Sequence, residues 1–145
     1  IMDTEKHPQF TFSDAWLLFS VAAAETPQGG TLAQIMAVGD MIDHSIFSGP
    51  ELRRGFAKLI HVGYIQEIGN NFSLSGQAKD YWAALATDRK AKSLGKKFEK
   101  VQSFLGPRPL PSADPRVDDP EWPYPALTDE IVKAAYQQYT GQNQG

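Results

Sequence analysis

The sequence predicts a mainly α-helical fold that contains one small β hairpin and continues into further helices toward the C-terminus. Hydroxyl-bearing N-cap residues precede apolar or amphipathic stretches at several points along the 145-residue chain, as they do at helix starts. Two short alternating segments then flank Gly69-Asn70-Asn71, a turn whose residues tolerate the positive φ that a hairpin requires. A chain of this length suits one domain with a single core and an appendage.

The composition excludes several kinds of site. The chain has no cysteine, so disulfides, thiolate metal sites and cysteine nucleophiles are ruled out. The most apolar run, residues 15–24, is much shorter than the ~20 residues that cross a bilayer, and no basic stretch precedes an apolar one at the N-terminus. We therefore expect a cytoplasmic protein with no membrane partner.

The net charge of −3 is unevenly distributed along the chain. Residues 1–78 carry −4, residues 79–108 carry +5 and residues 109–145 carry −4. An acidic protein has little general attraction for nucleic acid, because lysine and arginine supply most of the affinity for phosphates. A local basic face can still supply it.

Three helix starts are predicted in the first half of the chain. Ser13 is expected to cap a first helix, which is almost wholly apolar from Asp14 to Glu25 and therefore belongs in the core or at a subunit interface. Thr31 begins a second helix with the capping box Thr-Leu-Ala-Gln. Ser48 begins a third with Ser-Gly-Pro-Glu, whose proline suits the first helical turn.

The third helix is amphipathic. At about 100° per residue, its large apolar side chains share one arc; these are Leu52, Phe56, Leu59 and Ile60. The opposite arc holds Arg53, Arg54, Ala57, Lys58 and His61. The sequence thus predicts that all the positive charge of this helix faces away from the core.

The third helix and the hairpin together carry an ordered set of residues, which are Glu51-Leu52, Phe56, Leu59, Gly63-Tyr64-Ile65 and finally Leu74-Ser75. With this set, the chain from about residue 13 to residue 82 resembles a winged helix-turn-helix domain of the prokaryotic transcriptional-regulator type. The resemblance implies a three-helix core with a wing. It also implies that the third helix enters the major groove of DNA while the wing touches phosphate or the minor groove.

The function that this resemblance implies is sequence-specific binding of duplex DNA by a non-catalytic regulator without a cofactor. The implied DNA contacts are Arg53, Arg54, Ala57, Lys58 and His61 of the third helix and Asn70 and Asn71 of the wing. Arginine can pair with guanine or clamp phosphate, and Lys58 would contact phosphate. The wing departs from the pattern, because Glu67 repels phosphate and no cation lies near the tip. The alternative is a winged-helix module that binds a protein partner and not DNA.

Ser75 is expected to cap further helix up to about residue 105, with a break near Thr87 or Gly95, which completes a domain over residues 10–105. Apolar residues recur at helical spacing in its second half, at Ala91, Leu94, Phe98, Val101 and Leu105. Basic residues occupy the other side, at Arg89, Lys92, Lys96, Lys97 and Lys100. The resemblance suggests a homodimer contact through this helix, and packing within the same chain is the alternative. The basic side is either a solvated face or an aid to DNA attraction.

Residues 106–127 contain seven of the ten prolines, which predicts an extended segment with Trp122 and Tyr124 as anchors onto the domain. Thr128 is expected to cap a short C-terminal helix over residues 128–140.

Neither a metal site nor an active site is predicted. Asp40, Asp43 and His44 lie at i, i+3 and i+4 and could share a face with a divalent metal, but a polar helix face explains the same pattern. The sequence has no glycine-rich phosphate loop, nucleophile elbow or zinc-protease helix, which argues against an enzyme. Whether a small-molecule effector binds is left open by the sequence.

Overall fold

The protein is described by a computed structural model that covers residues 10–43, 45, 47–106 and 127–142. Within these residues the fold is mainly helical and contains one two-stranded antiparallel sheet, as predicted. The elements in chain order are α1 (Phe12–Ala23), α2 (Leu32–Asp43), α3 (Gly49–His61), β1 (Ile65–Ile68), β2 (Asn71–Leu74), α4 (Gly76–Leu85), α5 (Leu94–Leu105) and α6 (Asp129–Gln142). None of the helices in this described part of the chain has the length and hydropathy of a membrane span.

The predicted starts of α2 and α3 are confirmed by their capping boxes. At α3, Ser48 Oγ accepts the Glu51 N–H at 3.2 Å, and the Glu51 carboxylate accepts the Ser48 N–H at 2.9 Å. Thr31 and Gln34 make the same pair of bonds at α2, at 3.1 and 3.0 Å. Each box satisfies backbone donors that the first turn of a helix would otherwise leave open.

The predicted start of α1 is wrong by two residues. Its N-cap is Thr11, whose hydroxyl accepts the Asp14 N–H while the Asp14 carboxylate accepts the Thr11 N–H at 2.8 Å. The hydroxyl of Ser13 instead donates to Glu51 Oε2 at 2.9 Å. Thr11 has the acidic residue at the third helical position that completes a box, and Ser13 does not.

The central element is α1, in which residues 14–22 are all buried. Phe12 and Phe19 contact the ring of Phe98 in α5, each with centroids 5.5 Å apart. Leu17 lies against α3, so close to Gly55 that a Cβ there would come within 2.5 Å of Leu17 Cδ2. Phe12, which contacts α5, and Leu17, which contacts α3, are five residues apart and so point to nearly opposite sides of the helix. The helices α3 and α5 therefore pack on opposite sides of α1.

The hairpin pairs Ile65 with Leu74 and Ile68 with Asn71. Its turn therefore has two residues, Gly69 at φ +61° and Asn70, one fewer than predicted. Phe72 also forms a bridge to Gly30 in the α1–α2 connection, with nitrogen-to-oxygen distances of 2.8 and 2.9 Å. Its ring packs on Phe56 of α3 with centroids 4.3 Å apart, so the hairpin is joined to the helical core.

The helix after the hairpin is divided near Thr87, as predicted, whereas Gly95 lies inside α5. The apolar side of α5 packs on α1 of the same chain, where Val101 and Leu105 are buried; Leu94, at its N-terminal end, is 45% exposed. In the structure, this apolar face therefore packs within the same chain. A homodimer contact through α5 stays a prediction.

At the C-terminal end, Thr128 Oγ1 accepts the Ile131 N–H at 3.2 Å and α6 follows, as predicted. The helix packs against α2, where Tyr139 Oη donates to Asp40 Oδ2 at 2.5 Å. Residues 107–126 lie outside the described part of the chain. They hold most of the predicted proline-rich segment, including its predicted anchors Trp122 and Tyr124.

The bond between Tyr139 and Asp40 predicts a pH-dependent stability. The hydrogen bond to Asp40, then burial, then the nearby negative charge raise the pKa of Tyr139 above its ordinary value of 10.0. A pKa that is higher in the folded state stabilises the fold below pH 10, and this contribution is lost as the pH rises through the folded pKa. We expect Tyr139→Phe to lower the free energy of unfolding by about 1 kcal/mol at pH 8.

Chemical denaturation at pH 8 and above pH 10 measures this effect, and the difference between the variant and the wild type should shrink at the higher pH. Tyr136→Phe is the matched control, because Tyr136 lies on the same helix with its side chain exposed. Equal losses in the two variants would show that the bond to Asp40 does not hold α6.

Candidate nucleic-acid interface

The exposed part of α3 is narrower than the sequence predicted. Arg54 and His61 are exposed and lie two turns apart on one stripe of the helix, and Arg53 beside them is half-buried. Ala57 and Lys58 are only 4% and 2% exposed. The prediction that these two residues face outward is therefore wrong, and neither is available at the surface.

Lys58 is buried against α1 and forms an ion pair with it. Its Nζ lies 2.9 Å from Asp14 Oδ2, and both side chains are almost fully covered. The close approach of α1 over Gly55 covers this flank of α3. A buried charge needs an opposite charge and hydrogen bonds, and Asp14 supplies the charge while also accepting the Thr11 N–H.

A second polar contact fixes the beginning of α3. Glu51 caps Ser48 with Oε1 and accepts the hydroxyl of Ser13 with Oε2. Glu51 and Lys58 are seven residues apart, so α3 is tied to the first turn of α1 at two points separated by two helical turns. These tethers leave the stripe with Arg54 and His61 on a fixed support. Sequence reasoning assigned no such role to Ser13 or Asp14.

The two predicted wing residues have different environments. Asn70 is exposed at the turn, whereas Asn71 is partly covered and its Nδ2 donates to the carbonyl of Gln28 at 3.0 Å. That bond holds the hairpin to the α1–α2 connection. The exposed residues on the strand before the turn include Glu67 and Ile68, and neither strand carries arginine or lysine.

The stripe and the turn have the chemistry of polar recognition. The guanidinium of Arg54 is planar and presents several N–H donors that match guanine edges or phosphate oxygens. The imidazole of His61 and the amide of Asn70 add shorter-range hydrogen bonds. Such groups can read or hold a polyanion.

Among the described residues, no three or more histidine, aspartate and glutamate side chains are grouped so that they could hold a metal ion. Of the three residues that could share a metal in the sequence, Asp40 accepts a hydrogen bond from the hydroxyl of Tyr139. The side chain of Asp43 and the whole of His44 lie outside the described part.

Comparison of the chain with protein-family models, with curated proteins and with solved structures finds no match. A function is therefore inferred from the geometry of α3 and the hairpin.

Proposed function

We propose that the chain is a winged helix-turn-helix protein that binds duplex DNA in a sequence-specific manner, as a non-catalytic transcriptional regulator. In this reading α1, α2 and α3 form the three-helix core, β1 and β2 form the wing, and α3 is the recognition helix. The observation that carries the proposal is the exposed stripe of Arg54 and His61 on a helix that is capped and tethered on its other sides. A major groove about 12 Å wide admits one α-helix.

The spacing of the stripe suits the repeat of the groove. Seven residues advance about 10 Å along a helix, and successive base pairs are about 3.4 Å apart along each strand. Arg54 and His61 would therefore meet positions about three base pairs apart. Arg54 is the stronger determinant, because a bidentate contact to guanine is worth about 1–3 kcal/mol of discrimination.

The wing and the neighbouring cation add to this contact. Asn70, exposed at the turn, would donate to phosphate, and the exposed part of Arg53 would extend the positive surface of the stripe. Phosphate contacts fix the register of the helix and carry no sequence information themselves. Specificity is therefore assigned to the stripe and positioning to its surroundings.

A second candidate, a winged-helix module for a protein partner, is favoured by the hairpin. Ile68 is 41% exposed there beside the exposed Glu67, and the strands carry no cation. An apolar residue next to a carboxylate suits a protein surface better than a phosphate backbone. This candidate makes the hairpin the contact, whereas the leading proposal makes α3 the contact.

Selection from a random duplex library at low salt tests the leading proposal. We expect a short motif to be enriched, and the affinity for it to fall with salt at a log-log slope of about 0.9 for each phosphate contacted. Wild-type protein that retains no duplex at low salt would contradict DNA binding, and the protein-interaction module would then replace it. Retention without an enriched motif would contradict the assignment of specificity.

A further inference from the structure

The connection between α4 and α5, together with the first turn of α5, forms a strongly basic surface. We name as the basic surface its exposed cations, Arg89, Lys90, Lys92 and Lys96. We propose that this surface is a second site of contact with DNA phosphates, separate from the stripe on α3. The proposal rests on the proposed function and adds a sequence-independent contact to it.

The charge of this region contrasts with the rest of the chain. Residues 86–100 contain six cations and two anions, whereas residues 1–78 carry a net charge of −4. The carboxylate of Asp88 is engaged in a local turn, where it accepts the Lys90 N–H at 2.8 Å. Glu99 pairs with Lys96 at 3.4 Å in solvent, and with both carboxylates counted residues 86–100 keep a net charge of +4. A polyanion is the complementary partner.

Lys96 occupies a position where the fold would be better served by an acid. The residue three after the N-cap is Asp14 in α1 and Glu51 in α3, and each closes a capping box. In α5 that position is Lys96, whose N–H is accepted by Ser93 Oγ at 3.1 Å, and the first turn contains no acidic residue. A cation there opposes the helix dipole, which costs stability. A bound phosphate would offset that cost.

Local contacts hold the backbone beneath the basic surface. Ala91 is fully buried between its cations, and its N–H is accepted by the carbonyl of Asp88 at 3.1 Å. Lys97 closes the connection, since its Nζ lies 5.7 Å from the ring of Trp82 and donates to the carbonyl of Leu85 at 3.3 Å. These contacts hold the backbone from which the exposed cations extend.

The basic surface and the α3 stripe are separate, because α1 lies between α3 and α5. They should therefore make different contributions to binding. Phosphate contacts act alike on every sequence, whereas a base contact acts only on the correct one. For a duplex long enough to pass around α1 and reach both surfaces, loss of the basic surface should weaken binding to selected and unrelated sequences equally, and loss of Arg54 should abolish the preference between them.

The test is a fluorescence anisotropy titration of the full chain carrying Lys92→Gln and Lys96→Gln. Lys79→Gln with Lys133→Gln is the matched control, since both of those lysines are exposed and the change in charge is the same. For the first variant we expect about fivefold to tenfold weaker binding at 0.1 M salt for each phosphate that is no longer bound, and a salt slope smaller by about 0.9 for each. Its melting temperature should not fall, because the glutamine that Lys96→Gln introduces can close the capping box as Gln34 does.

Equal affinities of the two double variants for duplex would overturn the proposal. It would also be overturned if wild-type protein bound polyglutamate, an acidic polypeptide, more tightly than duplex. The outcome is distinguishable from failure of the α3 proposal. If Arg54→Ala binds like the wild type while the Lys92 and Lys96 variant binds weakly, the basic surface stands and the α3 stripe falls. If only Arg54→Ala binds weakly, the reverse holds.

Discussion

Replacing Lys58 with methionine is expected to lower the free energy of unfolding by about 3–5 kcal/mol, because it leaves the carboxylate of Asp14 buried without its charge partner. That loss is a large part of the roughly 5–15 kcal/mol that stabilises an ordinary domain. Methionine keeps most of the aliphatic volume of lysine, so the effect reports charge rather than a cavity. Urea denaturation followed by circular dichroism measures it.

Two further variants separate the ion pair from other effects of the Lys58 substitution. Lys133→Met is the control, since Lys133 is exposed on α6 and should change stability by less than about 0.5 kcal/mol. Adding Asp14→Asn to the Lys58→Met variant should recover part of the stability, because no unpaired charge then remains inside. A Lys58→Met variant as stable as the Lys133→Met control would contradict the burial of this pair.

Trp16→Ala is expected to cost about 3–5 kcal/mol of unfolding free energy, the range for removing a buried aromatic side chain. The indole is 2% exposed and stacks on Phe47 with centroids 3.7 Å apart, and its Nε1 donates to the carbonyl of Gly39 at 2.9 Å. Phe47 immediately precedes the N-cap of α3, and Gly39 belongs to α2. Trp16 therefore connects α1 to both helices of the proposed helix-turn-helix.

The ring contact and the hydrogen bond of Trp16 can be measured apart. Trp16→Phe keeps an aromatic ring against Phe47 and removes the donor to Gly39, so we expect a smaller cost of about 1–3 kcal/mol. Circular dichroism is again the suitable signal, since tryptophan fluorescence changes with the substitution itself. Destabilisation of equal size in the two variants would show that the hydrogen bond alone accounts for the effect, which would contradict the role of the stacked ring.

Local features of the fold were predictable from the sequence, because short-range chemistry determines them. The boxes at Thr31 and Ser48 and the cap at Thr128 involve residues three apart, and all three starts are confirmed. The predicted start of α1 at Ser13 is wrong, although the capping-box rule identifies the correct one. Thr11 has Asp14 three residues later, whereas Ser13 has no acid or amide at that position. The turn at Gly69 was placed correctly and made one residue too long.

Lys58 shows what the helical wheel of α3 could not indicate. The wheel separates an apolar arc from a polar one, but Asp14 is 44 residues away in sequence. Two features of the sequence pointed to a buried pair, but no sequence rule connects residues so far apart. Asp14 stands in an apolar helix, where a carboxylate needs a cation, and Gly55 lies one turn from Lys58, where the missing side chain admits α1.

The sequence left the packing partner of α5 undecided for a different reason. The apolar stripe that ends at Leu105 buries the same residues whether it faces a second copy or its own chain, so periodicity alone does not decide between them. In the structure, Phe12 and Phe19 of α1 take the place opposite Phe98. The exposure of Arg54 and His61, by contrast, follows from the wheel, because both lie opposite the apolar arc.

The central claim, that DNA is read by the exposed stripe of α3, is tested most directly by titrating Arg54→Ala against the selected duplex beside the wild type and Lys133→Ala. We predict that Arg54→Ala binds about 5- to 150-fold more weakly, as expected for the removal of an interaction worth about 1–3 kcal/mol, and does not prefer the selected sequence. Lys133→Ala should match the wild type. Equal affinity and equal sequence preference in Arg54→Ala and the wild type would contradict the claim.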